Sequence, residues 1–191
     1  MFSDESKFNL FGSDGRENVW RKPNQEMFPK NLRSTVKHGG GSVMVWGCMS
    51  AAGVGRLHFI DGIMDQNVYI NILKENLKES AEKLGIGNTF NFYQDNDPKH
   101  KAHKVRNWLL YNCPKVIETP PPSPDLNAIE NLWSQLEVGI RNHHISNKND
   151  LKKALLEEWE RIRPDYCEKL VRSIPNRLQN VKTNKGYPTK Y

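Results

Sequence analysis

Three carboxylate side chains stand in sequence contexts that suit metal-ion chemistry. Asp95 follows the apolar run 90–93 after one intervening residue, Gln94. Glu130 opens a helical pattern after 34 further intervening residues, and Asp4 lies near the start of the sequence. Mg²⁺ prefers carboxylate oxygens and needs few protein ligands, so three converging acids would suffice to hold it. Such ions can activate a hydroxyl and stabilise a leaving oxygen at a phosphodiester. We therefore expect these three acids to meet in space and hold divalent metal.

Each acid also has a structural interpretation that the residues alone leave open. Glu130 follows Asn127 by three positions, which is the spacing of a capping box at a helix start. Asp95 could form a turn ahead of Asp97, and Asp4 could cap an element or fray near a chain end.

The residues beside Asp95 have two interpretations each. His100 could be a ligand or a phosphate contact, or an ordinary surface histidine. Lys99 could contact a phosphate or be a solvated charge. Trp108 and Trp133 are expected in the core.

Hydrophobic periodicity predicts the elements that position these residues. Residues 2–11 alternate as a strand that places Asp4 on the same face as Phe2 and Phe8, where a carboxylate is costly without a compensating partner or cation. Further strands are predicted over 18–21, 42–50, 56–60, 89–94 and 116–117, with a long exposed loop over 22–41. Helices are predicted over 67–84, 101–111, from about 129 to 140, over 149–162 and after Pro164.

This element order predicts an α/β fold with a mixed sheet. The first strands form an antiparallel meander, and helices and strands then alternate and pack on the sheet. If the first strand pairs with the strand that precedes Asp95, Asp4 and Asp95 lie side by side, and Glu130 enters from a helix. With no repeat or linker in 191 residues, one domain over 1–191 is expected.

Charge and composition narrow the class of partner. The formal net charge is +6 and the pI is about 9.2. The segment 169–191 contains six basic residues and no acidic one: Lys169, Arg172, Arg177, Lys182, Lys185 and Lys190. A basic surface suits a polyanion such as nucleic acid. No apolar run reaches membrane-spanning length, and the three widely spaced cysteines predict free thiols rather than disulfides or a zinc site.

Several motifs together resemble the catalytic domain of Tc-like and mariner-like DNA transposases. The similarity runs in order along essentially the whole chain, and the 34-residue spacing between Asp95 and Glu130 is typical of the Tc-like branch. The matching stretches are residues 3–8, 19–21, 37–48, 94–100, 123–127, 129–133 and 189–191.

The resemblance implies a ribonuclease-H-like fold with Asp4, Asp95 and Glu130 as the catalytic and metal-binding acids. It implies Mg²⁺, for which Mn²⁺ can substitute, and cut-and-paste transposition of double-stranded DNA from transposon ends into TA targets. Action in the nucleus and a homodimer are further expectations. Lys99, His100 and the basic residues Arg172, Arg177, Lys182, Lys185 and Lys190 are candidate DNA contacts.

Departures from the family pattern support a second hypothesis. The family's helix-turn-helix modules are not found before Met1, so an N-terminally truncated chain with a fraying first strand is expected. Ala128 stands where the family usually has proline. The alternative function is a catalytically inactive transposon remnant that binds DNA or a protein.

Overall fold

The computed structural model describes residues 1–10, 41–87, 89–117 and 126–183. Within these ranges one sheet contains β1 (Phe2–Asn9), β2 (Ser42–Ser50), β3 (Gly53–Ile60), β4 (Asn91–Tyr93) and β5 (Lys115–Ile117). The helices of the same ranges are α1 (Gln66–Lys83), α2 (His103–Asn112), α3 (Glu130–Ile140), α4 (Lys148–Glu160) and α5 (Pro164–Thr183). The strand predicted over 18–21 and nearly all of the loop predicted over 22–41 lie outside the described residues.

The strand order β3-β2-β1-β4-β5 confirms the predicted mixed sheet. β1, β2 and β3 form the antiparallel meander, whereas β4 and β5 add to β1 in parallel. Phe2 pairs with Tyr93 across the parallel junction of β1 and β4. Since Asp4 and Asp95 each lie two residues further along, the two acids reach the same end of the sheet.

Two hydrophobic clusters cover the two faces of this sheet. Side chains alternate along β2, so that Val45 and Met49 face one cluster while Trp46 and Cys48 face the other. The first cluster is completed by α3, α4 and α5, and the second by α1 and α2. Helix α3, which starts with Glu130, is therefore held against the sheet by its buried side chains.

Most element boundaries follow from local signals. Helix α1 differs from its prediction by one residue at each end, and Asp65 caps it by accepting from two backbone amides. Gly85, with φ +66°, follows the helix in a conformation that favours glycine. Three strands differ from prediction by two residues or more: β1 ends at Asn9 rather than at residue 11, β3 begins at Gly53 rather than Arg56, and β4 is limited to three residues.

The start of β1 is tied to its neighbour rather than frayed. The Met1 ammonium donates to the Asn91 carbonyl at 2.6 Å, and the Tyr93 amide donates to the Met1 carbonyl at 2.8 Å. β1 is also paired with β2 along its whole length. Asp4 therefore lies on a strand that is hydrogen-bonded on both sides near its start.

The cysteines are free and buried, as predicted. Among the residues described, no helix has both the length and the apolar character needed to cross a membrane.

Candidate active site

Asp4 and Glu130 form a carboxyl pair between β1 and α3. The two groups are close enough to share a hydrogen bond. Burial, and then the charge of Glu130, raise the pKa of Asp4 to about 8. Glu130 is exposed as a residue, but partial burial of its carboxyl group raises its pKa as well. Such a pair favours a shared proton or a bound cation, because two adjacent carboxylates repel each other.

Trp133 connects the carboxyl pair to the core. Its indole Nε1 donates to Asp4 Oδ2 at 3.0 Å, and its ring stacks on Trp159 with centroids 5.5 Å apart. Trp133 is buried, as predicted, but its hydrogen bond to Asp4 was not predicted from the sequence. The available signal was its position three residues after Glu130, which places both side chains on one side of the helix.

Gly47 makes room for this tryptophan. It lies directly opposite Asp4 in the β1–β2 register. A Cβ atom at this position would lie 2.8 Å from Cη2 of Trp133 and 3.1 Å from Cη2 of Trp159. The absence of a side chain on β2 therefore lets the indole approach the sheet beneath Asp4.

Asp95 lies just beyond β4 and uses Oδ1 for two contacts. This oxygen accepts from the Asp97 amide at 3.1 Å and lies 2.5 Å from Nδ1 of His100. The predicted turn-forming role of Asp95 is therefore confirmed. Burial by itself raises the pKa of Asp95, but these two hydrogen bonds outweigh burial and the net shift is downward.

The structure brings Asp4 and Glu130 into contact and places Asp95 close enough for its charge to raise the pKa of Glu130. In the part of the chain that the structure describes, no three His, Cys, Asp or Glu side chains are grouped as a ready-made metal site. Of the three acids predicted to meet, Asp4 and Glu130 thus form a pair, and Asp95 lies beside the pair with its carboxylate turned toward His100.

His100 is enclosed between two acids, which contradicts the prediction of a surface histidine. The residue is 1% exposed, and its Nε2 lies 3.3 Å from Oε1 of Glu5. Burial alone lowers the pKa of His100, but the hydrogen bond to Asp95 and the charge of Glu5 raise it to about 9. A ring with both nitrogens facing carboxylates is neither a surface histidine nor a DNA contact.

Lys99 lies at the edge of the same group. Its Nζ is 2.6 Å from Oδ2 of Asp97 and 3.6 Å from Oε2 of Glu5, and its side chain is 22% exposed. Lys99 therefore remains at the surface beside the acids, where a phosphate could reach it.

The basic residues of α5 differ in accessibility. Arg177 is buried and donates to Oδ1 of Asn131 at 2.8 Å and to Oγ of Ser173 at 2.8 Å. The prediction that Arg177 contacts DNA is therefore wrong, because its guanidinium joins α5 to α3. Arg172 is exposed and paired with Glu168, and Lys182 is exposed. The two remaining tail candidates, Lys185 and Lys190, lie outside the described residues.

The capping box proposed for Glu130 is not formed. Ile129 is the N-cap of α3 and no side chain caps the helix; the Glu130 amide instead donates to the Asn127 carbonyl at 3.2 Å. This tight backbone turn occupies the amide that a capping side chain would need. Oδ1 of Asn127 is buried and has no hydrogen-bond partner among the described residues. Glu130 is thus left to face Asp4.

Comparisons with known proteins agree with this geometry. A family model described as DDE superfamily endonuclease matches residues 1–152. The Tc1 transposase of Caenorhabditis elegans is 44% identical over 191 residues, which cover all of this chain and 70% of the relative.

Solved structures support the fold. The Mos1 transposase paired-end complex with left transposon end superposes with a TM-score of 0.80 at 19% identity, covering 99% of this chain and 55% of that chain. The mariner Mos1 paired end complex with Mg superposes with a TM-score of 0.82 at 18% identity, and the match covers 98% of this chain and 56% of that chain. This chain spans little more than half of the length of the Mos1 chain. Within the matched part, the similarity confirms the predicted ribonuclease-H-like fold. The chain belongs to the DDE superfamily of endonucleases and is a transposase catalytic domain of the Tc1/mariner type.

Proposed function

We propose that this chain binds double-stranded DNA at transposon ends, cuts it and joins it to TA targets. Asp4, Asp95 and Glu130 hold Mg²⁺ for this reaction, and Mn²⁺ can substitute because carboxylates suit both ions. The Asp4–Glu130 pair carries the proposal, because the pKa values of both carboxyl groups are raised and a cation beside them would favour their ionised forms.

The residues present fit a divalent cation. Burial raises the pKa of Asp4 to about 8, so ionising both carboxyl groups at neutral pH requires positive charge beside them. Asp95 is half-exposed and carries its two hydrogen bonds on Oδ1. When bound, the metal would neutralise charge at phosphorus and activate the attacking water or hydroxyl.

The protein's own groups position the acids and attract the substrate. Trp133 orients Asp4 by donating to Oδ2. Lys99 at the edge of the site, Arg172 and Lys182 on α5 and the tail residues Lys185 and Lys190 are candidate phosphate contacts. A net charge of +6 favours binding through released counterions.

The wider setting follows from the substrate. Residues 1–191 would act as one catalytic domain in the nucleus, where chromosomal DNA is found. A homodimer would supply one catalytic site for each of two transposon ends, in keeping with the paired-end state of the similar Mos1 complex.

Two observations favour a second candidate function, a catalytically inactive remnant that binds DNA or a protein. Asp95 is held by His100, and no three-acid ligand group is preassembled among the described residues. A chain in which Asp95 never reaches the pair would keep the fold and its basic charge but would not cut DNA.

A nicking assay separates the two functions. Purified protein is incubated with supercoiled DNA and Mg²⁺ or Mn²⁺, and Asp95→Asn is compared with Asp97→Asn, its neighbour in the same turn. We expect nicking by wild type and Asp97→Asn, and its loss in Asp95→Asn. A folded wild type that is silent with both metals would exclude a working enzyme. An RNA–DNA hybrid substrate tests whether the activity is that of another ribonuclease-H-like nuclease.

A further inference from the structure

His100 links Asp95 to a fourth acid that the catalytic reaction does not require. Nδ1 of His100 lies 2.5 Å from Oδ1 of Asp95, and Nε2 lies 3.3 Å from Oε1 of Glu5. Glu5 is next to Asp4 on β1, and its side chain is only 7% exposed. The imidazole therefore joins the strand that carries Asp4 to the turn that carries Asp95.

The histidine ring is itself held in place. The ring of Tyr69 packs against it with centroids 4.1 Å apart. The Tyr69 hydroxyl donates to Oε1 of Gln94 at 2.7 Å, and Nε2 of Gln94 donates to the His100 carbonyl at 3.4 Å. Both the ring and the backbone of His100 are thus fixed by residues of α1 and by the segment that precedes Asp95.

Both hydrogen bonds described above for the Asp95 carboxylate fall on one of its two oxygens. Oδ1 accepts from His100 and from the Asp97 amide. A metal-ligating carboxylate is commonly oriented by a hydrogen bond on one oxygen while the other oxygen meets the metal. His100 can therefore orient Oδ2 without occupying it.

We propose that His100 is a positioning residue that, clamped by Glu5 and Tyr69, holds the Asp95 carboxylate in the orientation required for divalent metal to bind at the three acids. This inference rests on the proposed metal function of Asp4, Asp95 and Glu130. His100 contacts neither DNA nor metal in this role and acts through Asp95 alone.

Two substitutions at one position separate orientation from ring packing. His100→Asn places an amide donor near the position of Nδ1, so the hydrogen bond to Asp95 can be kept while the ring is lost. His100→Phe keeps a ring against Tyr69 but removes the donor. Mn²⁺ affinity, measured by electron paramagnetic resonance on the metal-free protein, is a readout independent of DNA cleavage.

We expect His100→Phe to weaken Mn²⁺ binding by roughly tenfold to a hundredfold, the usual effect of losing an outer-shell partner. His100→Asn should recover most of the affinity, and His103→Phe, at an exposed histidine of α2, should leave it unchanged. Wild-type Mn²⁺ affinity in a folded His100→Phe variant, or equal losses in His100→Phe and His100→Asn, would overturn the positioning role.

Two further variants cover the remaining outcomes. Glu5→Gln keeps an acceptor for Nε2 of His100 but removes the charge of the carboxylate. If His100→Phe does not fold, Glu5→Gln becomes the test. A several-fold loss of Mn²⁺ affinity in Glu5→Gln then supports the inference, and an unchanged affinity overturns it. Asp95→Asn distinguishes the two levels of the proposal. If Asp95→Asn binds Mn²⁺ like wild type, the metal function of Asp95 itself fails. If Asp95→Asn loses Mn²⁺ and His100→Phe does not, only the positioning role fails.

Discussion

The indole N–H of Trp133 on α3 donates to the carboxylate of Asp4 on β1 at 3.0 Å. This single contact joins the helix that begins with Glu130 to the strand that carries the first acid. It also places a hydrogen-bond donor on a buried carboxyl group whose pKa burial raises to about 8. A core aromatic residue is thus part of the electrostatics of the site.

Replacing Trp133 by Phe tests this contact, because the substitution removes the donor and keeps an aromatic ring. Loss of the donor to a buried carboxyl group should cost about 1–3 kcal/mol of unfolding free energy and shift the Mg²⁺ concentration needed for nicking. The matched control is Trp159→Phe, which removes the indole bond to the Gly55 carbonyl. It should cost a similar stability with the Mg²⁺ dependence unchanged. Equal Mg²⁺ dependence in both variants would contradict the role of Trp133.

Gly47→Ala tests the space that the sheet leaves for the indole. A Cβ atom 2.8 Å from Trp133 requires the ring to move, which should cost about 1–3 kcal/mol and weaken Mn²⁺ binding. Gly55→Ala is the control, because it creates a comparable clash on the opposite face of the sheet, with Sγ of Cys48 and the side chain of Ser80. It should reduce the melting temperature but leave Mn²⁺ affinity intact. A Gly47→Ala protein with wild-type metal affinity would show that the indole position does not matter.

The raised pKa of Asp4 predicts how stability depends on pH without metal. Asp4 titrates at about 8 when folded against 3.8 in the unfolded chain, so the folded state binds more protons between these values. Its contribution is complete below pH 3.8 and is lost as pH rises through 8. His100, raised from 6.5 to about 9, acts in the same direction over a higher range.

Denaturant unfolding in a chelating buffer checks this pH dependence. Wild-type stability should fall as pH rises above about 5, and Asp4→Asn should flatten the dependence because the amide stays neutral. Added Mg²⁺ should restore stability at high pH by binding the folded state alone. Stability that rises with pH in the metal-free wild type would contradict the raised pKa of Asp4.

Arg177 and Lys182 lie on the same helix but should respond differently to substitution. Arg177→Met leaves Oδ1 of Asn131 without this donor and should cost about 1–3 kcal/mol, with the salt dependence of DNA binding unchanged. Lys182→Met should leave stability unchanged and reduce the slope of log affinity against log salt by about 1, if Lys182 contacts a phosphate. The reverse pattern would restore Arg177 as a DNA contact.

Local periodicity was sufficient to predict much of the fold. The recurrence of Tyr69, Leu73 and Leu77 defined α1 to within one residue, because a helix buries side chains at a fixed spacing. The pairing of β1 with β4 was a condition for Asp4 and Asp95 to lie side by side, and the structure contains this pairing.

The incorrect predictions concern contacts between distant residues. In the sequence, the neighbours of His100 are mostly polar, which predicts a surface position. In the fold, the carboxylate of Glu5, 95 residues away in the chain, faces the ring and compensates its charge. In the sequence, Arg177 belongs to a basic segment, which predicted an exposed side chain. In the fold, its guanidinium is bound by Asn131, which lies 46 residues upstream. The spacing of Asn127 and Glu130 fits a capping box, but a tight backbone turn replaces it.

The position of a bound ion tests the central claim most directly, namely that Asp4, Asp95 and Glu130 hold one metal site. Crystals of the protein soaked in Mn²⁺ can be measured near the manganese absorption edge, so that anomalous density locates the ion. We expect a peak bounded by carboxylate oxygens of all three acids, with Asp95 still hydrogen-bonded to His100 through Oδ1. Manganese bound elsewhere, or bound to Asp4 and Glu130 with Asp95 out of reach, would contradict the claim.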